Sequence, residues 1–351
     1  MVLDLGVLLL AFFVILLGAE LFTNGIEWFG QKLELSEGAV GSVLAAIGTC
    51  LPETMVPLIA ILFTAQGGGN EVGVGAILGA PFMLSTLAMF VAGLAVLVVG
   101  RGRTTGDELQ VSRPVIVHDI RTFAIAYGVA IAVAFLPAEL AWPRILVGIG
   151  LLGTYGWYVL GHFRSEARAT EGAELAPLRL HRLDRRAAIH LSDPRLRIVV
   201  FQVVVAVACI VGAAYAFVGS VEDLAQRLGA DEALLALIIA PIATELPEGF
   251  NSVLWVRQGK DTLAMGNITG AMVFQATIPT VLALVFASSS WAVTSGSLVS
   301  FASAGIAFTA CAAIFLPLVA RGRLNGRGLL VGGLFYGAYL GLVVARLSTT
   351  G

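Results

Sequence analysis

Two hexapeptides, Gly48-Thr49-Cys50-Leu51-Pro52-Glu53 and Ala243-Thr244-Glu245-Leu246-Pro247-Glu248, put a hydroxyl, a helix-breaking proline and a carboxylate together in apolar surroundings. Carboxylates, hydroxyls and freed backbone carbonyls are hard oxygen donors, the set that a bare cation accepts in place of its water. Pro52 and Pro247 have no N–H and clash with the preceding turn, so each helix should open there and free the carbonyls of Gly48 and Ala243, four residues back. Non-helical backbone at membrane depth is tolerated where it lines a cavity. The expected cage is Glu53, Glu248, Thr49 and Thr244 with the carbonyls of Gly48 and Ala243, and Glu245 adds a third acid close by. Cys50, Glu20, Asn24, Asn251 and Gln275 are accessory candidates. An all-oxygen cage with a charge of about −2 suits Ca²⁺, which takes six to eight oxygens in flexible geometry, better than Mg²⁺.

Simpler roles compete at every one of these positions. Glu53 and Glu248 could be protonated carboxyls that only tie helices together, but an ionised one costs about 2.5–3.5 kcal/mol at the bilayer centre and usually marks an ion pathway. The duplication adds weight to that reading. Thr49 and Thr244 could bond back to their own helices, and Asn251 and Asn267 could be interhelical glue. Gly75, Gly79, Gly266 and Gly270 have close helix packing as their default explanation. Glu20 and Asn24 share one face of the first span, where a structural or gating role suits them better than ligation. Glu27, Glu37, Glu222 and Glu232 fall near span ends and should reach water.

The elements that must position these residues are membrane helices. With 58% hydrophobic and 13% charged residues and a mean hydropathy of +0.92, the chain reads as one that lives in lipid. Ten stretches could cross a hydrocarbon core of roughly 30 Å: 3–29, 38–64, 72–99, 121–137, 143–161, 197–219, 233–256, 263–288, 295–320 and 328–346. The first is too long for a signal-peptide core and has no small-residue cleavage site. Basic residues in short loops stay in the cytoplasm. Eighteen of the 21 Lys and Arg fall on one side and only Arg144, Arg227 and Arg346 on the other. That places a multi-pass protein in the cell membrane with both termini outside. The net charge of −2 gives no reason to expect nucleic acid as a partner. Cys50, Cys209 and Cys311 have neither pairing nor zinc spacing, and His118, His162, His181 and His190 read as surface histidines. Residues 162–196, rich in Arg and Glu, read as a cytoplasmic linker.

The two halves repeat. An offset of 195 pairs Glu27 with Glu222, Glu37 with Glu232, Thr49 with Thr244, Pro52 with Pro247 and Glu53 with Glu248. At an offset of 191, Gly75-Ala76-Ile77-Leu78-Gly79-Ala80 matches Gly266-Asn267-Ile268-Thr269-Gly270-Ala271. Five spans, an odd number, fall in each of 1–161 and 197–351, so the second copy must lie upside down relative to the first, as in secondary transporters with midplane ion sites. The expected fold is an all-α polytopic membrane protein of ten transmembrane helices in two inverted five-helix repeats.

Gly48-Thr49-Cys50-Leu51-Pro52-Glu53 resembles the G-T-S-L-P-E signature of the calcium/cation antiporter superfamily, which includes the sodium/calcium exchangers. The run Arg257-Gln258-Gly259-Lys260-Asp261-Thr262-Leu263-Ala264-Met265-Gly266-Asn267 is similar to the stretch that links the second and third helices of a repeat in that family. The resemblance covers nearly the whole chain and implies exchange of Ca²⁺ or another divalent cation for H⁺ or Na⁺ by alternating access. It implies no enzyme activity and no cofactor, the ions being cargo. The departures are informative. Cys50 and Glu245 stand where the family has Ser, and Ala80, Pro81, Ala271 and Met272 stand where exchangers carry the G-S-N or G-S-D oxygens that help to bind sodium. Three close acids cannot all stay ionised in an empty cavity, so protons or fewer sodium ions are the expected counter-ions. Transport of Mg²⁺, Mn²⁺ or Na⁺ alone, a passive cation channel and a membrane hydrolase using Glu53 and Glu248 are the alternatives. The last lacks a nucleophile and its base.

Overall fold

A backbone without access to water must satisfy its N–H and C=O groups internally, and a helix does so within a single segment. The computed structural model describes residues 2–36, 38–50, 53–54, 57–58, 61–62, 69–100, 102, 105–164, 175–183, 193–228, 248–294 and 297–350. It is helical wherever those residues cross the molecule, with no strand among them. Helix α1 covers Val2–Lys32 and α2 covers Ala39–Thr49, the first seven residues of α2 being π-helical. Helix α3, 69–100, carries a second π-helical turn at Leu84–Ala88. Then follow α4 (Arg113–Ala132), α5 (Ala141–Arg164), α6 (Leu196–Leu228) and α7 (248–257). Helices α8 (Asp261–Phe286), α9 (Leu298–Arg321) and α10 (Val331–Thr350) complete the chain.

Seven of these helices, α1, α3 to α6, α8 and α9, contain a stretch long and apolar enough to cross a membrane. The expected spans 38–64 and 233–256 are described only in part. Helix α8 is the centre of the bundle, packed against α2, α3, α4 and α5. Nearly all of its residues are buried, polar Asn267, Thr269 and Gln275 among them. Its crossing with α2 is close because Gly266 and Gly270 have no side chain: a Cβ on Gly270 would stand 2.1 Å from the carbonyl oxygen of Ser42. Helices α1 and α6 lie along each other, with Gly18 and Gly25 facing Ile210 and Val203.

Three expectations are overturned. Helix α4 begins at Arg113, not at 121, because Asp119 turns into the bundle rather than into solvent and a hydropathy window counts only its polarity. Pro137, Glu139, Trp142, Pro143 and Arg144, which read in the sequence as a brief surface turn, include a fully buried residue, Arg144. Its guanidinium donates to the carbonyls of Leu136 (2.8 Å), Leu140 (2.8 Å) and Trp291 (3.0 Å), supplying the donors that peptide oxygens beyond a helix end lack. His162, expected at the surface, is buried with Nε2 2.9 Å from Asp119 Oδ1. Residues 175–183 of the linker lie against α1 and α6. Trp28 Nε1 donates to Ala176 O at 3.0 Å and Leu180 N to Gln202 Oε1 at 2.8 Å.

Candidate cation site

Helix α2 changes from π-helical to α-helical winding at Ala46 and ends at Thr49, which carries its C-terminal residues to the middle of the bundle. Glu53 follows one turn later, and α7 opens in the described residues with Glu248. One ligand atom each from Cys50, Glu53 and Glu248 lies within 4.8 Å of the others, and all three residues are buried. The two carboxylates, 195 residues apart in the chain, thus share one pocket. Thr49 and Cys50 stand against Glu248. Behind them α8 supplies two amides. Gln275 Nε2 donates to Glu53 Oε2 at 2.8 Å, and Asn267 Nδ2 to the Glu248 carbonyl at 3.4 Å. Thr49 Oγ1 donates to Ala45 O at 3.1 Å and lies 3.4 Å from Asn267 Oδ1.

Two ionised carboxylates withdrawn from water are costly unless a counter-charge stands with them. Carboxylate oxygens of Glu53 and Glu248 within 4.8 Å of each other can both touch one ion held at about 2.3–2.6 Å, the range for oxygen ligands of Ca²⁺. Protons on the acids are the other way to discharge the pocket. Gln275 fixes the orientation of Glu53, and outer-shell partners of metal ligands typically matter 10- to 100-fold. A Gln275→Leu variant should therefore keep its thermal transition in detergent but bind Ca²⁺ about 10- to 100-fold more weakly. Equilibrium binding of radioactive calcium measures the change.

The other sequence candidates divide. Gly48 packs against α1, where an added Cβ would stand 2.6 Å from the Phe22 ring. Asn251 faces α1 and accepts from Thr23 Oγ1 at 2.9 Å. Glu20 and Asn24 are not brought to the carboxylates. Glu20 pairs with Arg179 of the linker at 2.9 Å, and Asn24 bonds to Ala176 O, Arg179 N and Gln202 Nε2. Pro52, Ala243, Thr244, Glu245 and Pro247 lie outside the described residues. Thr54 N bonds to Cys50 O at 3.0 Å. Glu27, expected to reach water, has a side chain only 7% exposed and lies 2.6 Å from Lys260 Nζ, and it accepts from Trp255 Nε1.

Asp119 is a buried acid that escaped the sequence reading. Asp119 is fully buried in α4, in register with Ile116, Phe123, Ala126, Tyr127 and Ala130 on the stripe of α4 that faces the bundle. That three- and four-residue spacing was the available signal.

Residues 3–164 and 198–347 match the family model described as sodium/calcium exchanger protein. A stretch of 74 residues is 38% identical to an uncharacterized membrane protein of Methanocaldococcus jannaschii, covering 20% of this chain and 24% of that one. The fold is similar to that of the sodium-calcium exchanger NCX_Mj, with a TM-score of 0.71, 14% identity and coverage of 97% of this chain and 98% of that one. It is equally similar to the H⁺/Ca²⁺ exchanger CAX, with a TM-score of 0.71, 17% identity and coverage of 96% and 82%. The match over both halves of the sequence means that the chain belongs to the sodium/calcium exchanger protein family, whose members are membrane transporters and not enzymes.

Proposed function

We propose that the protein is a secondary active antiporter that moves a divalent cation, Ca²⁺ first, across the membrane in exchange for protons or a small number of sodium ions. The observation that carries this reading is the convergence of Glu53 and Glu248 in one buried pocket. Either a divalent cation or a pair of protons discharges that pocket, so the two compete for it, and competition at a single site is what couples opposing fluxes. The solved relatives named for Na⁺/Ca²⁺ and H⁺/Ca²⁺ exchange support the cation and leave both counter-ions in play. Apolar Ala80, Pro81, Ala271 and Met272 argue against a full set of sodium sites.

Residues 1–161 and 197–351 are read as two inverted five-helix repeats joined by the linker at 162–196, with both termini outside. The pair α1 and α6 would rock against the remaining bundle to expose the site to one side at a time. Reconstituted vesicles test the coupling. Calcium uptake should follow an imposed pH or sodium gradient, and uptake indifferent to both gradients overturns the proposal. Adding Mn²⁺ as a competitor in the same assay tests whether the nearby Cys50 thiol favours a softer ion.

A further inference from the structure

Helix α4 carries two arginines that no acid answers among the described residues. Arg113 stands at its first turn and Arg121 about two turns further in, about 12 Å along the axis, and both are exposed. Beyond the end of α9, by contrast, Arg323 and Arg327 pair with Glu108 (3.9 Å) and Asp107 (3.2 Å). A guanidinium has five donors. Arg113 gives one to the carbonyl of Val319, which is among the last four of α9 and so has no partner within a regular helix. The rest of its fork, and that of Arg121, meets no acceptor among the described residues.

The two side chains border one hollow. Arg113, Pro114, Val117, His118 and Arg121 of α4 with Val319 of α9 line an open pocket of about 430 Å³, within the range of about 300–1,000 Å³ that holds small ligands. No acidic side chain lines it. Side chains lean towards the N-terminus of their helix, so Arg121 leans back along α4 towards Arg113. Deeper in the bundle the two helices touch, the Phe308 ring of α9 lying 5.7 Å from that of Phe123 and 5.3 Å from that of Tyr127. The surface that continues from the pocket is apolar. Ile125 and Val129, four and eight residues beyond Arg121 on the same stripe of α4, are exposed, as is Leu316 of α9, one turn from Val319.

Cationic forks at one end of an exposed apolar stripe match the outline of one kind of molecule. A guanidinium binds phosphate oxygens bidentately, the positive end of the α4 dipole favours the same charge, and hydrocarbon chains cover apolar residues within the bilayer. A small soluble anion would use the arginines and leave the stripe unused. A zwitterionic lipid would bring an ammonium group to a pocket that is already doubly positive. Basic pockets between membrane helices are a general means of holding anionic headgroups. Simpler roles are that Arg113 only caps α9 and that Arg121 only stretches to water, and neither would make the protein sensitive to the charge of a lipid.

We propose that the pocket between α4 and α9 binds the phosphate headgroup of an anionic phospholipid, held by Arg113 and Arg121, with its acyl chains along Ile125, Val129 and Leu316. The lipid bridges the two helices where their own contact has opened. Helix α4 is tied in turn to the middle of the bundle at Asp119, whose Oδ2 lies 2.7 Å from Ser42 Oγ of α2 and 2.6 Å from Thr269 Oγ1 of α8. A ligand that binds only the folded bundle stabilises it by mass action. The site shares no residue with the Glu53–Glu248 pocket, and it rests on no part of the antiporter reading.

Retention of radiolabelled phosphatidylglycerol by purified protein immobilised in a neutral detergent measures the binding. The unmodified chain should hold phosphatidylglycerol more tightly than phosphatidylcholine, which has the same phosphate but no net charge. Arg121→Gln should weaken retention about fivefold and Arg113→Gln with Arg121→Gln about 30-fold, the usual effect of basic residues at an anionic headgroup. Arg323→Gln removes the same charge outside the pocket and should bind as the unmodified chain does. Equal retention of the two lipids, or equal weakening by Arg323→Gln and Arg121→Gln, means diffuse attraction and overturns the proposal. Inorganic phosphate in millimolar excess should leave the lipid in place. Displacement by it would make the pocket a site for free phosphate, and the lipid assignment falls. Loss of Arg113 also uncaps α9, so Arg121→Gln alone decides the matter should the double variant fail to fold. As a second readout, phosphatidylglycerol should raise the thermal transition of the unmodified chain more than that of Arg121→Gln, and equal shifts count against the site.

Discussion

Replacing Glu248 by Gln should lower calcium affinity by more than about 100-fold, beyond the range seen when a mere second-shell partner is lost, and should abolish gradient-driven uptake. Glu53→Gln should do the same, and the double variant should be no worse than either single one, because groups that act as one unit lose their function together. The sign of the stability change discriminates between roles. If the carboxylates exist to hold a cation, amides in their place remove two charges that are costly to bury when the pocket is empty. The thermal transition of the variant measured in chelator should then stay level or rise, and added Ca²⁺ should no longer raise it. If instead Glu53 and Glu248 only tie α2, α7 and α8 together, glutamine would leave uptake intact, and that outcome removes the basis of the cation pocket. Gln275, which donates to Glu53 at 2.8 Å, can turn its amide oxygen towards the new amide, so the variant need not lose its fold.

The closeness of Glu53 and Glu248 was legible before any coordinates because its signals were of the kind a sequence preserves. A Glu beside a Pro inside an apolar run stands out in composition alone, and the second copy at an offset of 195 ruled out coincidence. Gln275 entered only as an accessory, since a lone amide in an apolar helix gives no hint of its partner. Asp119 and His162 were lost for a different reason. Both lie within two or three turns of charged helix ends, where hydropathy cannot distinguish a side chain that reaches water from one that turns inward. Periodicity could have. Arg144, Gly148, Leu151, Tyr158 and His162 occupy one stripe of α5, so His162 shares the face that carries the buried residues. Arg144 on the same helix entered only as a basic residue on the outer side, a count that says nothing of burial, and its five donors can be met by the carbonyls of a turn. Glu27 shows the limit of such reasoning. Its partners Trp255 and Lys260 lie more than 220 residues further along the chain, and nothing local announces them.

Gly270→Ala should be the most damaging single-methyl change outside the pocket. The new Cβ would lie 2.1 Å from Ser42 O, 2.5 Å from its Cα and 2.6 Å from its carbonyl carbon. These are backbone atoms, so no rotamer can relieve the clash and α2 must move away from α8. Restoring an ordinary carbon contact of about 3.5 Å requires a shift of more than about 1 Å, and overpacking of this kind costs about 1–3 kcal/mol where the surroundings yield. The displacement passes through Ser42 to Asp119 and along both helices to Thr49 and Asn267, whose side chains are 3.4 Å apart. Loss of folded protein on size-exclusion chromatography, or a lowered thermal transition together with impaired calcium binding, is expected. The matched control is Gly150→Ala on α5, where an added Cβ meets nothing within 4 Å. There, alanine should be neutral or stabilising by up to about 1 kcal/mol, the difference in helix propensity. Equal behaviour of the two variants would mean that α2 and α8 are not held at this crossing.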